Sequence, residues 1–166
     1  MATESLSSDF TESPAEPAVG PPLIGALLRM PWEVVRRRML ERLHERGFDD
    51  LELAHLNVLQ YPGPEGARPS ELAARLGMSK QALNYLLGEL ERLGYLERRP
   101  DPDDLRSKRI ALTGRGMSIV PVIRDAVGEV EREWARELRP ERFDQLRNLL
   151  LELNQLPILQ KPPSRR

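Results

Sequence analysis

The feature that most constrains this chain is a helix, a glycine turn, a second helix and a short hairpin, all set within residues 69–113. Leu72, Ala73 and Leu76 fall on one side of a short helix that opens at Pro69-Ser70 with Glu71 in its first turn. Proline is tolerated at a helix start, and an early carboxylate suits the positive helix end. Gly77 ends the helix, because glycine adopts the left-handed cap conformation cheaply. Ser79 is then placed to N-cap a second helix. Two helices joined by a short glycine-containing turn form a helix-turn-helix.

The second helix is expected over residues 80–93, ending at Gly94. At helical periodicity Leu83, Leu86, Leu87, Leu90 and Leu93 share one face. The opposite face carries Gln81, Tyr85, Gly88 and Arg92, flanked by Asn84 and Glu89. A leucine stripe behind a hydrogen-bonding face suits a helix laid in the major groove, though an ordinary amphipathic helix with a solvated face has the same pattern. Gly88 weakens the helix by about 1 kcal/mol relative to alanine. It could admit close approach of DNA or serve a helix contact. Beyond Gly94, residues 95–99 read as a short strand, residues 100–104 as a turn cluster and residues 107–112 as a second strand. Ile110 and Leu112 share one face of that strand, and Thr113 is placed to cap a following helix. A two-stranded hairpin behind a helix-turn-helix is a wing. From Arg92 to Arg115 there are seven Lys/Arg against four Asp/Glu, a net +3, so the hairpin can reach phosphates or a narrow minor groove.

These residues together resemble the winged helix-turn-helix of the MarR family of bacterial transcription regulators. Leu72-Ala73 and Gly77-Met78-Ser79 carry the likeness in the helix-turn-helix. Residues 90–98 carry it across the junction, and Asp104-Leu105-Arg106 with residues 110–113 carry it in the wing. The resemblance implies flanking helices that interlock two chains into a dimer. It also assigns Arg106 to the wing arginine of an Asp-x-Arg pattern that enters the minor groove. Asp104 could orient Arg106 through a charge-assisted hydrogen bond. The alternative is that Asp104 caps the hairpin turn and Arg106 only solubilises it. Members of the family often bind small aromatic anions between the dimerisation helices and the winged lobe. Trp32, Met39, Phe48 and His55 are the residues here that could take part, or they could be core.

At 166 residues the chain suits one domain with a real core. The formal net charge of -1 is unevenly spread. Residues 1–20 carry -4, residues 161–166 carry +3, and the body between is neutral. There are no cysteines, which excludes disulfides, thiolate metal sites, a cysteine nucleophile and thiol-based oxidant sensing. No run of about 18 apolar residues predicts a membrane span, and residues 1–20 lack a basic start followed by an apolar stretch. No membrane partner is expected and the protein is expected to be cytoplasmic. The two histidines, His44 and His55, are spaced for no known metal or catalytic motif. No enzyme, cofactor or metal site is expected.

The expected fold is mainly α with a small two-stranded β-wing: a winged helix-turn-helix with flanking dimerisation helices. Residues 1–21 form an acidic, disordered tail, 22–156 the domain, and 157–166 a C-terminal tail. Within the domain the winged helix-turn-helix spans about 50–113, and the dimerisation helices about 23–46 and 114–156. Pro31 should kink or split the first helix and Pro121 should bend the helix of residues 115–138. Arg36-Arg37-Arg38 and the Glu41, Arg42, Glu45, Arg46 group read as solvated helix face, and Asp50 as the cap of a helix over residues 51–61. The flanking helices bear wide apolar stripes that imply a partner surface, most simply a two-fold dimer. The expected function is sequence-specific binding of double-stranded DNA by a homodimeric regulator, released by a small aromatic ligand. A winged-helix protein-interaction module without DNA binding is the alternative. The expected DNA-contacting residues are Ser79, Lys80, Gln81, Asn84, Tyr85, Arg92, Asp104, Arg106 and Lys108.

Overall fold

A computed structural model describes residues 22–60 and 65–157. The expected N-terminal tail, almost all of the C-terminal one and the loop around Pro62 lie outside the described residues. The order is α1 (Ile24–Glu45), α2 (Leu53–Leu59), α3 (Pro69–Leu76), α4 (Lys80–Arg92), β1 (Leu96–Asp101), β2 (Asp104–Leu112), α5 (Gly114–Leu138) and α6 (Pro140–Gln155). Among the described residues no helix is long and apolar enough to cross a membrane.

The helix-turn-helix forms as its local signals dictate. Gly77 closes α3 at φ 60, and the Ser79 hydroxyl accepts from Ala82 N at 3.1 Å to cap α4. Leu83, Leu86, Leu87 and Leu90 are buried in one cluster with Leu72 of α3, Leu56 and Val58 of α2, and Met39 and Leu43 of α1. Tyr95 and Ile110 bring the wing into that cluster, and Ile119 and Ala126 bring α5. The hairpin is longer and its turn tighter than the sequence pattern suggests. β1 runs on through Pro100 to Asp101, and β2 begins at Asp104, leaving Pro102-Asp103 as the turn. A two-stranded sheet has only edges, where proline is tolerated because no further strand needs its missing N–H. Ala67 adds an isolated bridge, exchanging both backbone hydrogen bonds with Ile110 at 2.8 and 2.9 Å. Gly66 permits this, because a Cβ there would lie 2.7 Å from the Ile110 carbonyl oxygen.

Several expectations are corrected by long-range contacts. Pro31 does not split α1, which is continuous from Ile24 to Glu45. Asp50 caps nothing, because its carboxylate accepts from the Tyr95 hydroxyl at 2.6 Å and from Arg115 at 2.8 Å. Glu52 is the N-cap of α2 instead, and its backbone N–H donates to His55 Nδ1 at 3.1 Å. Arg38 and Arg42 are not solvated face. Arg38 donates to Glu133 at 2.9 Å and Arg42 to Glu129 at 2.7 Å, tying α1 to α5. Arg36 is mostly buried and donates to the Leu53 carbonyl at 3.3 Å.

The outer helices leave much apolar surface uncovered within one chain. Leu23, Ile24, Leu27, Leu28, Met30 and Val34 are exposed on α1 or just before it, and Leu146, Leu149 and Leu153 are exposed on α6, which has no buried residue at all.

Candidate nucleic-acid interface

Every sequence-derived site residue is exposed: Ser79, Lys80, Gln81, Asn84, Tyr85, Arg92, Asp104, Arg106 and Lys108. Four of them line one concavity and the other five do not. Lys80 and Asn84 of α4 meet Arg106 and Lys108 of the wing around a concavity of about 480 Å³, which Arg68 and Ser70 also line. Gln81, Tyr85 and Arg92 lie outside that concavity, along the outward side of α4. Ser79 is committed to its capping bond.

The charges of the concavity are of two kinds. Arg68 is already paired, at 2.6 Å from Asp101, and Arg98 pairs with Glu91 at 2.9 Å. Lys80, Arg106 and Lys108 have no ion pair among the described residues. Three cations with no counter-ion among the described residues, on two elements facing one hollow, are an arrangement that can attract an anion such as a backbone phosphate.

Asp101 is the residue that sequence reasoning missed, having been read as part of a turn. It is fully buried and holds the wing to the helix-turn-helix. Arg68, just ahead of α3, reaches one carboxylate oxygen at 2.6 Å, and Arg109 of β2 lies 3.1 Å from the other. The Asp103 backbone N–H also donates to it at 3.0 Å. The Arg68 hydrogen bond, chief among these, holds the Asp101 carboxyl far below the usual carboxylate range despite burial, so it is ionised at neutral pH. Arg68 and Arg98 carried no local signal of their place in the site.

The expected bond between the Asp104 carboxylate and the Arg106 guanidinium is not the one formed. Asp104 Oδ1 accepts from the backbone N–H of Arg106 at 3.0 Å, and the Ser107 hydroxyl donates to the Asp104 carbonyl at 3.0 Å. Asp104 thus fixes the main chain from which Arg106 projects, a local contact that a short side chain two residues away makes readily.

On α4 the Tyr85 hydroxyl donates to Glu89 Oε1 at 3.1 Å, and this bond raises the Tyr85 pKa. Gly88 is exposed with nothing within 4 Å of a would-be Cβ, which removes a helix contact within the chain as its reason. Gly88→Ala is therefore expected to raise stability by about 1 kcal/mol, measured from the urea midpoint. A loss of DNA affinity in the same variant would mark close approach at that turn.

The four residues considered for a ligand do not gather around either the concavity or a smaller one between α1 and α5. Met39 and His55 are buried, Phe48 packs on Tyr95 with ring centroids 6.3 Å apart, and Trp32 is 40% exposed on α1. Among the described residues no group of three or more His, Asp or Glu could hold a metal.

Comparison with known proteins finds relatives that share this geometry. A sequence model described as MarR family matches residues 47–107. The HTH-type transcriptional regulator YkoM of Bacillus subtilis (strain 168) is 36% identical over 72 residues, which is 43% of this chain and 46% of that protein. The match thus spans under half the length of that curated relative. Likeness to solved structures is broader. The apo form of MarR from E. coli is 26% identical with a TM-score of 0.65, covering 81% of this chain and 98% of that one. CouR from Rhodococcus jostii RHA1, solved with p-coumaroyl-CoA bound, is 25% identical with a TM-score of 0.61, covering 80% and 92%.

Proposed function

We propose that the chain is a winged helix-turn-helix transcription regulator of the MarR kind, to which its wing region and fold are similar, and that it is a homodimer that binds an operator in double-stranded DNA sequence-specifically. The observation that carries this reading is the hollow where the first turns of α4 meet the wing, faced by Lys80, Arg106 and Lys108, which have no ion pair among the described residues. In it Lys80 and Lys108 take phosphates, while Gln81, Asn84 and Tyr85 present hydrogen-bonding groups to base edges. Arg106, at the far end of the wing, reaches the minor groove. A gel shift on the DNA upstream of its own gene, across a salt series, tests this. Sequence-dependent binding that weakens steeply with salt is expected. Binding that ignores sequence, or none at all, would leave the helix-turn-helix to a protein partner instead.

The dimer is supported by the apolar surface of α1 and α6, which one chain leaves in water. Sedimentation at micromolar concentration is expected to give about twice 19.0 kDa. A monomer there would remove the basis for a palindromic operator. For the dimer, half-sites are expected roughly 10 base pairs apart, centre to centre. Release by a small aromatic ligand is the remaining part of the proposal. Titrating aromatic acids into the same gel shift checks it.

A further inference from the structure

We propose that Tyr85 reads an exocyclic amino group in the major groove as a hydrogen-bond acceptor, its polarity fixed by Glu89 and, behind that, by the buried His55. This rests on the DNA-binding reading above and deepens it, since it names the class of base edge that one residue recognises.

The argument begins in the core. His55 is 4% exposed. The Glu52 backbone N–H donates to its Nδ1 at 3.1 Å, so Nδ1 carries a lone pair and the ring proton sits on Nε2. Nε2 faces Glu89 Oε2 at 3.5 Å. That contact turns one carboxylate oxygen inward and leaves the other, Oε1, to accept from the Tyr85 hydroxyl at 3.1 Å. A carboxylate has no hydrogen to offer in return, so the tyrosine must be the donor. The Tyr85 hydrogen is committed along the helix, and only oxygen lone pairs face outward. Tyr85 is 66% exposed on the same side of α4 as Gln81 and Gly88. In the major groove the donors are the amino groups of adenine and cytosine, whereas guanine and thymine offer carbonyl oxygens. Tyr85 therefore favours adenine or cytosine at its position.

The same chain of contacts makes Glu89→Gln a reversal. The His55 Nε2–H needs an acceptor, so the amide oxygen turns inward and the amide NH2 turns to Tyr85. That NH2 donates to the tyrosine oxygen and releases the hydroxyl hydrogen toward DNA. Tyr85 then favours guanine or thymine. Tyr85 is the contact residue, and Glu89 and His55 are positioning residues.

The test is selection from a randomised half-site with the full chain, comparing wild type, Tyr85→Phe, Glu89→Gln, and Glu89→Gln combined with His55→Leu. Wild type is expected to enrich adenine or cytosine at one position by about three- to ten-fold, the order of one hydrogen bond. Tyr85→Phe loses that preference, and Glu89→Gln moves it to guanine or thymine at the same position. The combined variant loses the reversal, because nothing then holds the amide. Since Glu89 is half-exposed, Glu89→Gln decides the matter even if the combined variant does not fold. A base preference at that position that is identical in wild type and Glu89→Gln overturns the inference, as does one that survives Tyr85→Phe. Failure of the wild-type protein to enrich any sequence overturns the DNA-binding reading itself. A uniform fall in affinity across all sequences, the mark of a merely structural role, also overturns the polarity assignment.

Discussion

Arg106→Ala is expected to weaken operator binding and to lower the salt slope by about one unit per wing, approaching two in a dimer. Arg106 is exposed and has no intramolecular ion pair among the described residues, so its charge is available to DNA. It neighbours Lys108 around one hollow, so its loss removes one cation and leaves the other cations of the hollow in place. The fold should survive, because an exposed substitution of this kind usually changes stability by no more than about 0.5 kcal/mol. Titrations at several salt concentrations measure both effects. An unchanged slope in a folded variant would mean that Arg106 touches no DNA. Asp104→Ala is the informative companion. It adds net positive charge, which alone should tighten binding. It also removes the acceptor that holds the Arg106 backbone N–H at 3.0 Å. Weaker binding is expected, because loosening the wing tip adds an ordering cost on association. Tighter binding would show that Asp104 merely competes with phosphate.

Gly116→Ala is expected to destabilise the protein by about 1–3 kcal/mol, the range for overpacking a filled core. Gly116 sits in the first turn of α5, buried where that helix leaves the wing. A Cβ there would collide with the Tyr95 carbonyl oxygen and would lie 3.0 Å from Leu112 Cδ2. The Tyr95 carbonyl is main chain and cannot retreat easily. The Tyr95 carbonyl accepts from Thr113 N at 3.0 Å, and the Thr113 hydroxyl both donates to the Gly94 carbonyl and accepts from Gly116 N. The Tyr95 ring is held as well, with Asp50 at its hydroxyl and the Arg115 guanidinium 4.5 Å from its centroid. Burial, then the bond to Asp50, pushes the Tyr95 phenol up to about 12, so this junction keeps its proton through ordinary pH. A lowered urea midpoint with unchanged slope is the expected result. A midpoint equal to wild type would show that α5 is seated more loosely on the wing.

The parts of the fold legible in the sequence are those built from neighbours in the chain. Gly77, Ser79 and the leucines of α4 specify the helix-turn-helix because a cap, a turn and a 3.6-residue stripe are settled within a few residues. Thr113 was legible as the α5 cap for the same reason, and Gly116 N donates to its hydroxyl at 3.0 Å. The exposed face of α4 followed from the buried one. Gly88 could be located on that face by periodicity, but only the empty space around it removes a packing role.

What only the tertiary structure decided is the choice of partner for each charged side chain. A carboxylate meets whichever donors the fold brings to it, and those can lie far along the chain. Asp101 looks like a turn residue until Arg68, thirty-three positions earlier, is brought beside it. Asp50 looks like a helix cap until Tyr95 and Arg115 outbid the nearby amides with a buried hydroxyl and a full charge. Arg38 and Arg42 look solvated until Glu129 and Glu133 on α5 are packed across from them. The sequence by itself determined the order of helices, turn and wing and the outward face of α4, because those depend on local backbone geometry and periodicity, while the ends of α2 and of the wing strands were set by the fold. The tertiary structure decided which cations are paired inside the protein and which, Lys80, Arg106 and Lys108 among them, have no ion pair among the described residues. Pairing depends on distance in space, which sequence separation does not encode.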